Sequence, residues 1–269
     1  MTQDAPADVE RDAGAIAAAV VAGRLRAVEV QAAAQSRHQA AHARLNALVQ
    51  PRFAEAAAEA AAIDERPSGP LAGVPVSVKE CFPVRGLRTP LGIRSRASLV
   101  DAADAAIVTR LRAAGAVIVG KANVPQAMVL HETDNPVFGR TNHPLAADRG
   151  AGGSSGGDAA AVAAGVVPLA VGSDLAGSLR QPAHACGIAA LMPRSSVLGE
   201  GGAIDTLPSL RVVRPRAGFL ARSVADLALA CGAVGVDPGR RRTVTRIAWW
   251  NSAGPITESA AIRRGVAEA

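Results

Sequence analysis

Alanine-rich stretches with apolar residues at helical spacing occupy the first 66 residues of the chain. Apolar side chains that recur every three or four residues favour amphipathic helices, and this pattern covers residues 15–22, 28–49 and 52–62. Gly23 and Pro51 interrupt it, as residues of these types commonly do at helix boundaries. The N-terminal part of the chain is therefore predicted to be helical.

The pattern changes from residue 70 onward, where short β-branched runs alternate with helical segments. Residues 74–78 follow Pro70 and Gly73 and lead into Lys79, which is typical of a buried strand. Further strands are predicted over 116–120, 166–171 and 246–250, and further helices over 105–114, 157–164, 223–234 and 258–269. This alternation predicts an α/β protein whose sheet is covered by helices on both faces.

No linker or internal repeat interrupts this order of elements. We therefore expect a single domain over residues 1–269, with N-terminal helices over 1–66 and an α/β core over 70–269. With four Phe, two Trp and no Tyr, its core must be built mainly from small aliphatic side chains. Such side chains allow helices to pack closely against a sheet.

The formal net charge of +6 raises the possibility of a nucleic-acid partner, because clustered Arg and Lys neutralise phosphates. The basic residues are scattered, however, and the only run of three is Arg240-Arg241-Arg242. Very few aromatic side chains are available to stack on bases. We therefore expect no nucleic-acid partner.

Membrane, redox and metal signals are weak. The longest apolar run, residues 159–172, contains Gly and Pro and is shorter than the roughly 20 residues that a spanning helix needs. The first ten residues carry acids and lack the apolar centre of a signal peptide. Cys81, Cys186 and Cys231 show neither disulfide nor zinc-ligand spacing. We expect a cytoplasmic protein without membrane contact, metal or cofactor.

The chain contains only two lysines, Lys79 and Lys121, against 27 arginines. Arginine replaces lysine in most surface roles, but it cannot lose its proton near neutral pH. A site that needs a neutral amine must therefore keep lysine, which makes both residues candidates for chemistry. On composition alone, the alternative that both are ordinary residues stays open.

Two segments rich in glycine and serine, residues 152–157 and 172–180, flank the strand predicted over 166–171. Glycine adopts backbone angles that a Cβ atom forbids, so such segments can aim several N–H groups at one point. Converging N–H groups stabilise a developing negative charge. These segments are therefore candidates for a site at which an anion forms.

Three common glycine motifs fit the first segment poorly. A dinucleotide-binding loop would have glycine in place of Ser155 and would follow a strand. A P-loop would need a Lys-Ser or Lys-Thr pair, which the segment lacks. A nucleophile elbow formally matches residues 152–156, but it needs a histidine far downstream and His184 is the last one in the sequence.

Taken together with Lys79, the two segments resemble the amidase signature family, and the resemblance extends along nearly the whole chain. Ser154 lies 75 residues after Lys79, and Ser178 lies 24 residues after Ser154, which is similar to the spacing in that family. The matching motifs are GVPVSVKE (73–80), GLRT (86–89), LRAAGAVIVGKAN (111–123), NPVFG (135–139), GGSSGG (152–157), GSDLAGSLR (172–180), PA (182–183), CG (186–187) and ARSVAD (221–226).

The resemblance implies a serine amide hydrolase with a mixed β-sheet core covered by helices on both faces. Ser178 would be the nucleophile, Ser154 would relay its proton, and Lys79 would be the base, with a pKa lowered by burial. The peptide bond before Ser154 would be cis. The oxyanion hole would be formed by the backbone N–H groups of Leu175, Ala176, Gly177 and Ser178. Supporting roles would fall to Gly153, Ser155, Asp174 and Arg180.

Simpler structural roles remain open for the same residues. Ser154 would serve equally well as the N-cap of the helix that follows it. Asp174 would form an ion pair with Arg180, and Lys79 would be one half of a buried ion pair.

Several features depart from the family pattern. Ala176 stands where a second glycine is usual, which adds a Cβ beside the oxyanion loop. Met192 replaces a common lysine and Pro215 a common aspartate, and both changes look structural. The chain is also shorter than its relatives, so we expect that the C-terminal half of the fold is missing and that one sheet edge is open.

These features predict an amidase that hydrolyses a linear carboxamide to a carboxylate and ammonia or an amine. The expected partner is a small-molecule amide, with a second copy of the chain or a partner chain covering the open sheet edge. Two alternatives stay open: a non-catalytic or truncated amidase-like partner subunit, and an A-subunit-like component of a tRNA-dependent amidotransferase.

Overall fold

The computed structural model describes residues 12–194, 198–204, 206, 214–236, 259–260 and 263–264. The chain divides into two compact units, Met1–Asp237 and Pro238–Ala269. In the second unit, Ala260, Arg263 and Arg264 are helical, and they fall within the helix predicted over 258–269. The strand predicted over 246–250 lies outside the described residues. The expectation of one domain over the whole chain stays a prediction.

The described part of the first unit contains seven α-helices and six β-strands. The helices are α1 (Ala13–Val21), α2 (Ala27–Leu45), α3 (Phe53–Glu65), α4 (Ala106–Ala113), α5 (Gly156–Ala163), α6 (Arg180–Cys186) and α7 (Val224–Ala233). The strands are β1 (Leu48–Pro51), β2 (Pro75–Lys79), β3 (Val117–Ala122), β4 (Leu169–Asp174), β5 (Ala189–Leu191) and β6 (Arg216–Ala221). None of the described helices is both long and apolar enough to span a bilayer.

The six strands form one mixed sheet in the order β1-β3-β2-β4-β6-β5. β2 is parallel to both of its neighbours, β3 and β4. β1 joins β3, and β6 joins β4, in antiparallel orientation. Every residue of β2, β3 and β4 is buried, so both faces of the central sheet are covered. This confirms the predicted α/β fold with a mixed sheet.

The helix predicted over 28–49 is wrong at its C-terminal end. α2 stops at Leu45 because Asn46 adopts a left-handed conformation with φ of 49°, and its side chain donates hydrogen bonds to the carbonyls of Phe138 and Arg140. The chain then forms β1, which pairs with β3. This strand depends on a partner far along the chain, so helical periodicity could not indicate it.

β4 also differs from its prediction, since it begins at Leu169 rather than at residue 166. Gly165, with φ of 70°, turns the chain after α5, and the strand starts only when it can pair with β2 and β6. It continues through Ser173 to Asp174, so part of the second Gly/Ser segment is strand. β5, β6 and α6 are additional elements that the hydrophobic pattern did not predict.

Candidate active site

Lys79 is the last residue of β2 and is only 1% exposed. Because β2 lies between two parallel strands, its carboxyl end is enclosed in the middle of the sheet. The Nζ atom of Lys79 lies 2.7 Å from Ser154 Oγ, 2.9 Å from Ser173 Oγ and 3.1 Å from the Ser173 carbonyl oxygen. The hydrogen-bond partners of the amine are thus two hydroxyls and one carbonyl, all uncharged.

Burial is the main influence on the charge of this amine. It lowers the pKa of Lys79 from the ordinary value of 10.5, because an ammonium ion is poorly solvated inside the protein. The acidic groups of Cys81, Asp158, Asp174 and Glu80 act in the opposite direction. No carboxylate of the described residues is hydrogen-bonded to the amine, so Lys79 is not one half of a contact ion pair.

Ser154 is carried by a tightly held loop, and the peptide bond between Gly153 and Ser154 is cis, as the resemblance implied. The Gly153 N–H donates to Gln181 Oε1 at 2.9 Å. On the other side, Thr133 Oγ1 donates to the Gly152 carbonyl at 2.7 Å. Sequence reasoning missed both Gln181 and Thr133, because their role lies in backbone contacts that no local motif reports.

The N-cap residue of α5 is Ser155 rather than Ser154, and its side chain makes no capping bond. Ser155 Oγ instead donates to the Ser173 carbonyl at 3.3 Å, and the Ser155 N–H donates to the Ser178 carbonyl at 3.1 Å. The two Gly/Ser segments are therefore bonded directly to each other. The alternative role of Ser154 as a helix cap is wrong, and its hydroxyl points to Lys79 instead.

Asp174, at the end of β4, organises the loop that carries Ser178. Its carboxylate accepts hydrogen bonds from the N–H groups of Gly177 at 2.7 Å, Leu179 at 2.9 Å and Arg180 at 3.4 Å. The Arg180 guanidinium adds two contacts at 3.0 Å. Burial alone would raise the pKa of Asp174, but Arg180 and these N–H groups lower it to about 2. Asp174 thus forms the ion pair with Arg180 that the simpler structural role predicted.

This arrangement changes the set of N–H groups expected to bind an oxyanion. The Gly177 N–H is already used by Asp174, so it is not free for a ligand. Within the described part of the chain, the N–H groups of Leu175, Ala176 and Ser178 have no protein partner. Ala176 is exposed and is not among the residues with left-handed backbone angles, so its Cβ introduces no backbone strain.

Ser178 lines a small cavity and is 8% exposed. Ser154 and Ser173 reach the same cavity, which brings the two predicted catalytic hydroxyls to one place. The remaining walls are mostly apolar and are formed by Met128, Leu175, Thr206 and Pro215. A ligand carbonyl in this cavity would lie beside both hydroxyls.

The second lysine, Lys121, lies in a different environment on β3. It is fully buried, and its Nζ atom contacts Asp101 Oδ2 at 3.2 Å, the Arg88 carbonyl at 2.8 Å and the Thr89 hydroxyl. Burial lowers the pKa of Lys121, while the nearby carboxylates of Glu80 and Asp101 oppose this shift. Of the two lysines, only Lys79 is hydrogen-bonded to Ser154 and Ser173, which line the cavity of Ser178, so only Lys79 joins the candidate site.

The sequence profile of one family, described as Amidase, matches residues 29–259. The chain therefore belongs to the amidase signature family, as its motifs predicted.

Similar proteins of known name differ in their functions. The A-subunit of the glutamyl-tRNA(Gln) amidotransferase of Thermus thermophilus is 45% identical over 181 residues, which are 67% of this chain and 37% of that protein. A fatty acid amide hydrolase structure has a TM-score of 0.83 at 27% identity, over 90% of this chain and 46% of that one. The peptide amidase of Stenotrophomonas maltophilia has a TM-score of 0.73 at 29% identity, over 86% and 51% of the two chains. This chain thus spans about half the length of these relatives, or less.

Proposed function

We propose that the chain is an amidase in which Ser178 attacks the carbonyl carbon of a linear carboxamide. The observation that carries this proposal is the 2.7 Å contact between Lys79 Nζ and Ser154 Oγ in a fully buried site. A buried lysine whose hydrogen-bond partners are hydroxyls can accept a proton, because burial favours its neutral form. The names of the fatty acid amide hydrolase and the peptide amidase, both similar in fold, agree with this chemistry.

In the first half of the reaction, the neutral amine of Lys79 takes the proton of Ser154, and Ser154 takes the proton of Ser178. The Ser178 oxygen forms a bond to the carbonyl carbon and gives a tetrahedral intermediate. When the C–N bond breaks, the departing nitrogen receives the proton back along the same route. Ammonia or an amine leaves, and the acyl group stays on Ser178.

The tetrahedral intermediate carries a negative oxygen, which needs hydrogen-bond donors. The unengaged N–H groups of Leu175, Ala176 and Ser178 are proposed to supply them. Asp174 and Arg180 hold this loop, and Gly153 and Ser155 hold the loop of Ser154. Donors that are fixed before the reaction stabilise the developing charge without reorganisation, and losing one costs about 3–4 kcal/mol of barrier.

In the second half of the reaction, water attacks the acyl carbon. Its proton passes through Ser154 to Lys79, the bond between carbon and Ser178 breaks, and Ser178 regains a proton from the same relay. The product is a carboxylic acid, which releases its remaining proton to water and becomes a carboxylate. This route uses only groups of the chain and water, and it requires no cofactor or metal.

The substrate is proposed to be a small-molecule amide with an apolar group next to its carbonyl. Met128, Leu175 and Pro215 contribute apolar walls to the cavity that Ser178 lines.

Cys81, Cys186 and Cys231 are free thiols, which supports our inference that the protein works in the reducing cytoplasm.

A second candidate function is an A-subunit-like role in a tRNA-dependent amidotransferase. The 45% identity to such a subunit favours it, although that protein is matched over only 37% of its length. Glutamine-dependent ammonia release that requires co-purifying subunits would support this role.

A second copy or a partner chain is proposed to pair with the outer edge of β5, the last strand of the sheet in the described residues. Light scattering of the purified protein tests for the second copy.

The decisive experiment is labelling with a fluorophosphonate probe, which reacts with activated serines. We expect the probe to label Ser178 in the wild type and to leave a Ser178→Ala protein unlabelled. The same variant should lose amide hydrolysis by about 10³-fold or more across a panel of carboxamides. Ser98→Ala is the matched control, since Ser98 is exposed and lies outside the cavity.

Two outcomes would contradict the proposal. If Ser178→Ala hydrolyses amides at the parent rate, the nucleophile is another residue. If the wild type is neither labelled nor active on any amide, the non-catalytic alternative is the better description.

A further inference from the structure

Asp158 is a buried acid that the proposed reaction does not yet use. It lies in the first turn of α5 and is 0% exposed. Its Oδ1 atom accepts a hydrogen bond from Ser77 Oγ at 2.8 Å, whereas its Oδ2 atom has no hydrogen-bond partner among the described residues. Burying an unpaired carboxylate oxygen is costly, so this position calls for a physical explanation.

The position of Asp158 links it to the candidate base. Ser77 and Lys79 are two residues apart in β2 and therefore point to the same face of the sheet. On that face, Ser77 bonds to Asp158 and Lys79 bonds to Ser154, so two neighbouring hydrogen bonds join β2 to the start of α5. The charge of Asp158 raises the pKa of Lys79, and the charge of Lys79 lowers the pKa of Asp158.

The other acidic groups near Lys79 have partners of their own. Asp174, at the end of β4, is paired with Arg180. Glu80 accepts the Leu91 N–H with both oxygens, and the positive charge of Lys121 acts on it. Burial raises the pKa of the Cys81 thiol to about 11, which keeps it neutral at neutral pH. Among the described residues that act on Lys79, Asp158 is thus the carboxylate that has no cation other than Lys79 acting on it.

We propose that Asp158 is a positioning residue that sets the proton occupancy of Lys79, with Ser77 holding its carboxylate in place. This inference rests on the proposed function, because it assigns Lys79 the role of base. It also accounts for the unpartnered oxygen, which supplies a negative charge to the site without bonding to the amine.

The amine of Lys79 and the carboxylate of Asp158 then compete for one proton. Burial raises the pKa of Asp158 to about 7, while Ser77 and Lys79 lower it. Burial lowers the pKa of Lys79, and the charge of Asp158 raises it again. A proton on Asp158 leaves the amine free to accept the proton of Ser154, whereas a proton on the amine leaves Asp158 charged.

The test uses the fact that the chain has only two lysines. With ¹³C-labelled lysine, the chain of 269 residues gives two side-chain Cε signals, and a Lys79→Met variant identifies the signal of Lys79. The pH titration of that signal is measured in the wild type and in Asp158→Asn. Asparagine keeps the shape but cannot carry charge, so the Lys79 midpoint should move to lower pH by about one unit.

Asp226 provides a matched control. It too lies in the first turn of a helix, α7, with one oxygen accepting a backbone N–H and the other unpartnered and buried. Asp226→Asn should leave the Lys79 midpoint unchanged, because Asp226 is not among the groups that act on Lys79. If this control moved the midpoint as far as Asp158→Asn does, the proposal would be wrong.

Ser77→Ala decides the matter if Asp158→Asn does not fold. It removes the hydrogen bond that favours the charged carboxylate, so the Lys79 midpoint should fall by a smaller amount. An unchanged midpoint in a folded Asp158→Asn protein, or in Ser77→Ala when only that variant folds, would overturn the proposal.

Kinetics provide a second measurement that a purely structural role would not affect. In Asp158→Asn, the acidic limb of the kcat/KM profile should move to lower pH together with the Lys79 signal. A uniform loss of rate with an unmoved limb would contradict the proposal. The titration does not depend on turnover, so an inactive wild type would count against the amidase function alone.

Discussion

Two buried lysines lie on adjacent parallel strands of this protein, and their surroundings differ in kind. Lys79 on β2 contacts two serine hydroxyls and a carbonyl. Lys121 on β3 contacts the carboxylate of Asp101 as well as the Thr89 hydroxyl and the Arg88 carbonyl. Both side chains are almost completely removed from solvent, at 1% and 0% exposure.

Burial alone does not decide whether a lysine acts as a base or as a structural cation. Burial lowers the pKa of both amines. An amine in contact with a carboxylate is held in its charged form, and both partners then depend on each other. An amine among hydroxyls has no such partner in contact and can exchange its proton with them. The amino-acid composition gives no reason to choose between the two lysines. Only Lys79 is surrounded by hydroxyl groups with which a base could exchange a proton.

The largest expected effect that separates the two lysines is on activity. Lys79→Met should reduce kcat/KM for amide hydrolysis by about 10³-fold or more, because it removes the proton acceptor. The free energy of unfolding should fall by about 1–3 kcal/mol, because the buried hydroxyls of Ser154 and Ser173 lose a hydrogen-bond partner while no contact ion pair is broken. Amide turnover and urea denaturation measure the two quantities. Near-normal turnover in a folded Lys79→Met protein would exclude Lys79 as the base.

The next effect is on stability and concerns Lys121. Lys121→Met leaves the carboxylate of Asp101 without its contact cation and removes the main positive charge that acts on the buried Glu80, which should cost about 3–5 kcal/mol of unfolding free energy. Residual folded protein should still be labelled by the fluorophosphonate probe at Ser178. Urea denaturation of the Lys121→Met and Lys79→Met proteins side by side measures the difference between their unfolding free energies. Equal stability of the two variants would show that the Asp101 contact does not distinguish the lysines.

The smallest effect is a separation of activity from folding in mild acid. As pH falls, the amine of Lys79 takes up a proton and can no longer accept one from Ser154, so hydrolysis should decline. Asp174 behaves differently, because its pKa is lowered in the folded state from 3.8 to about 2. Its contribution to stability is present above pH 3.8 and is lost only as pH falls through about 2. Circular dichroism should therefore report a folded protein at pH values where turnover has already decreased.

Much of the candidate site could be predicted from the sequence because its residues lie in contiguous motifs. The two Gly/Ser segments and Lys79 are recognisable locally, and the structure brings all three together at the carboxyl ends of β2 and β4. The strand that ends at Lys79 was predicted from its β-branched run. These features depend on short stretches of sequence, so a single sequence is enough to find them.

The remainder depends on contacts between distant segments. β1 and β6 exist because they pair with β3 and β4, and neither has a strong pattern of its own. Gln181 supports the loop of Ser154 through a side-chain contact to backbone, and the donor role of Gly177 could not be excluded before its bond to Asp174 was known. Asp158 looks like an ordinary acid in the first turn of a helix until its burial is seen.

The wide separation of the site residues along the chain has a consequence for how the protein is made. Lys79 lies 75 residues before Ser154 and 94 before Ser173, so their contacts close very long loops. During synthesis, β2 can pair with β3 as soon as residue 122 has emerged, whereas its other edge must wait for β4. A nascent chain therefore acquires part of its sheet well before the residues of the candidate site can come together. The unpaired edge of β2 is the surface that a chaperone would have to shield in the interval.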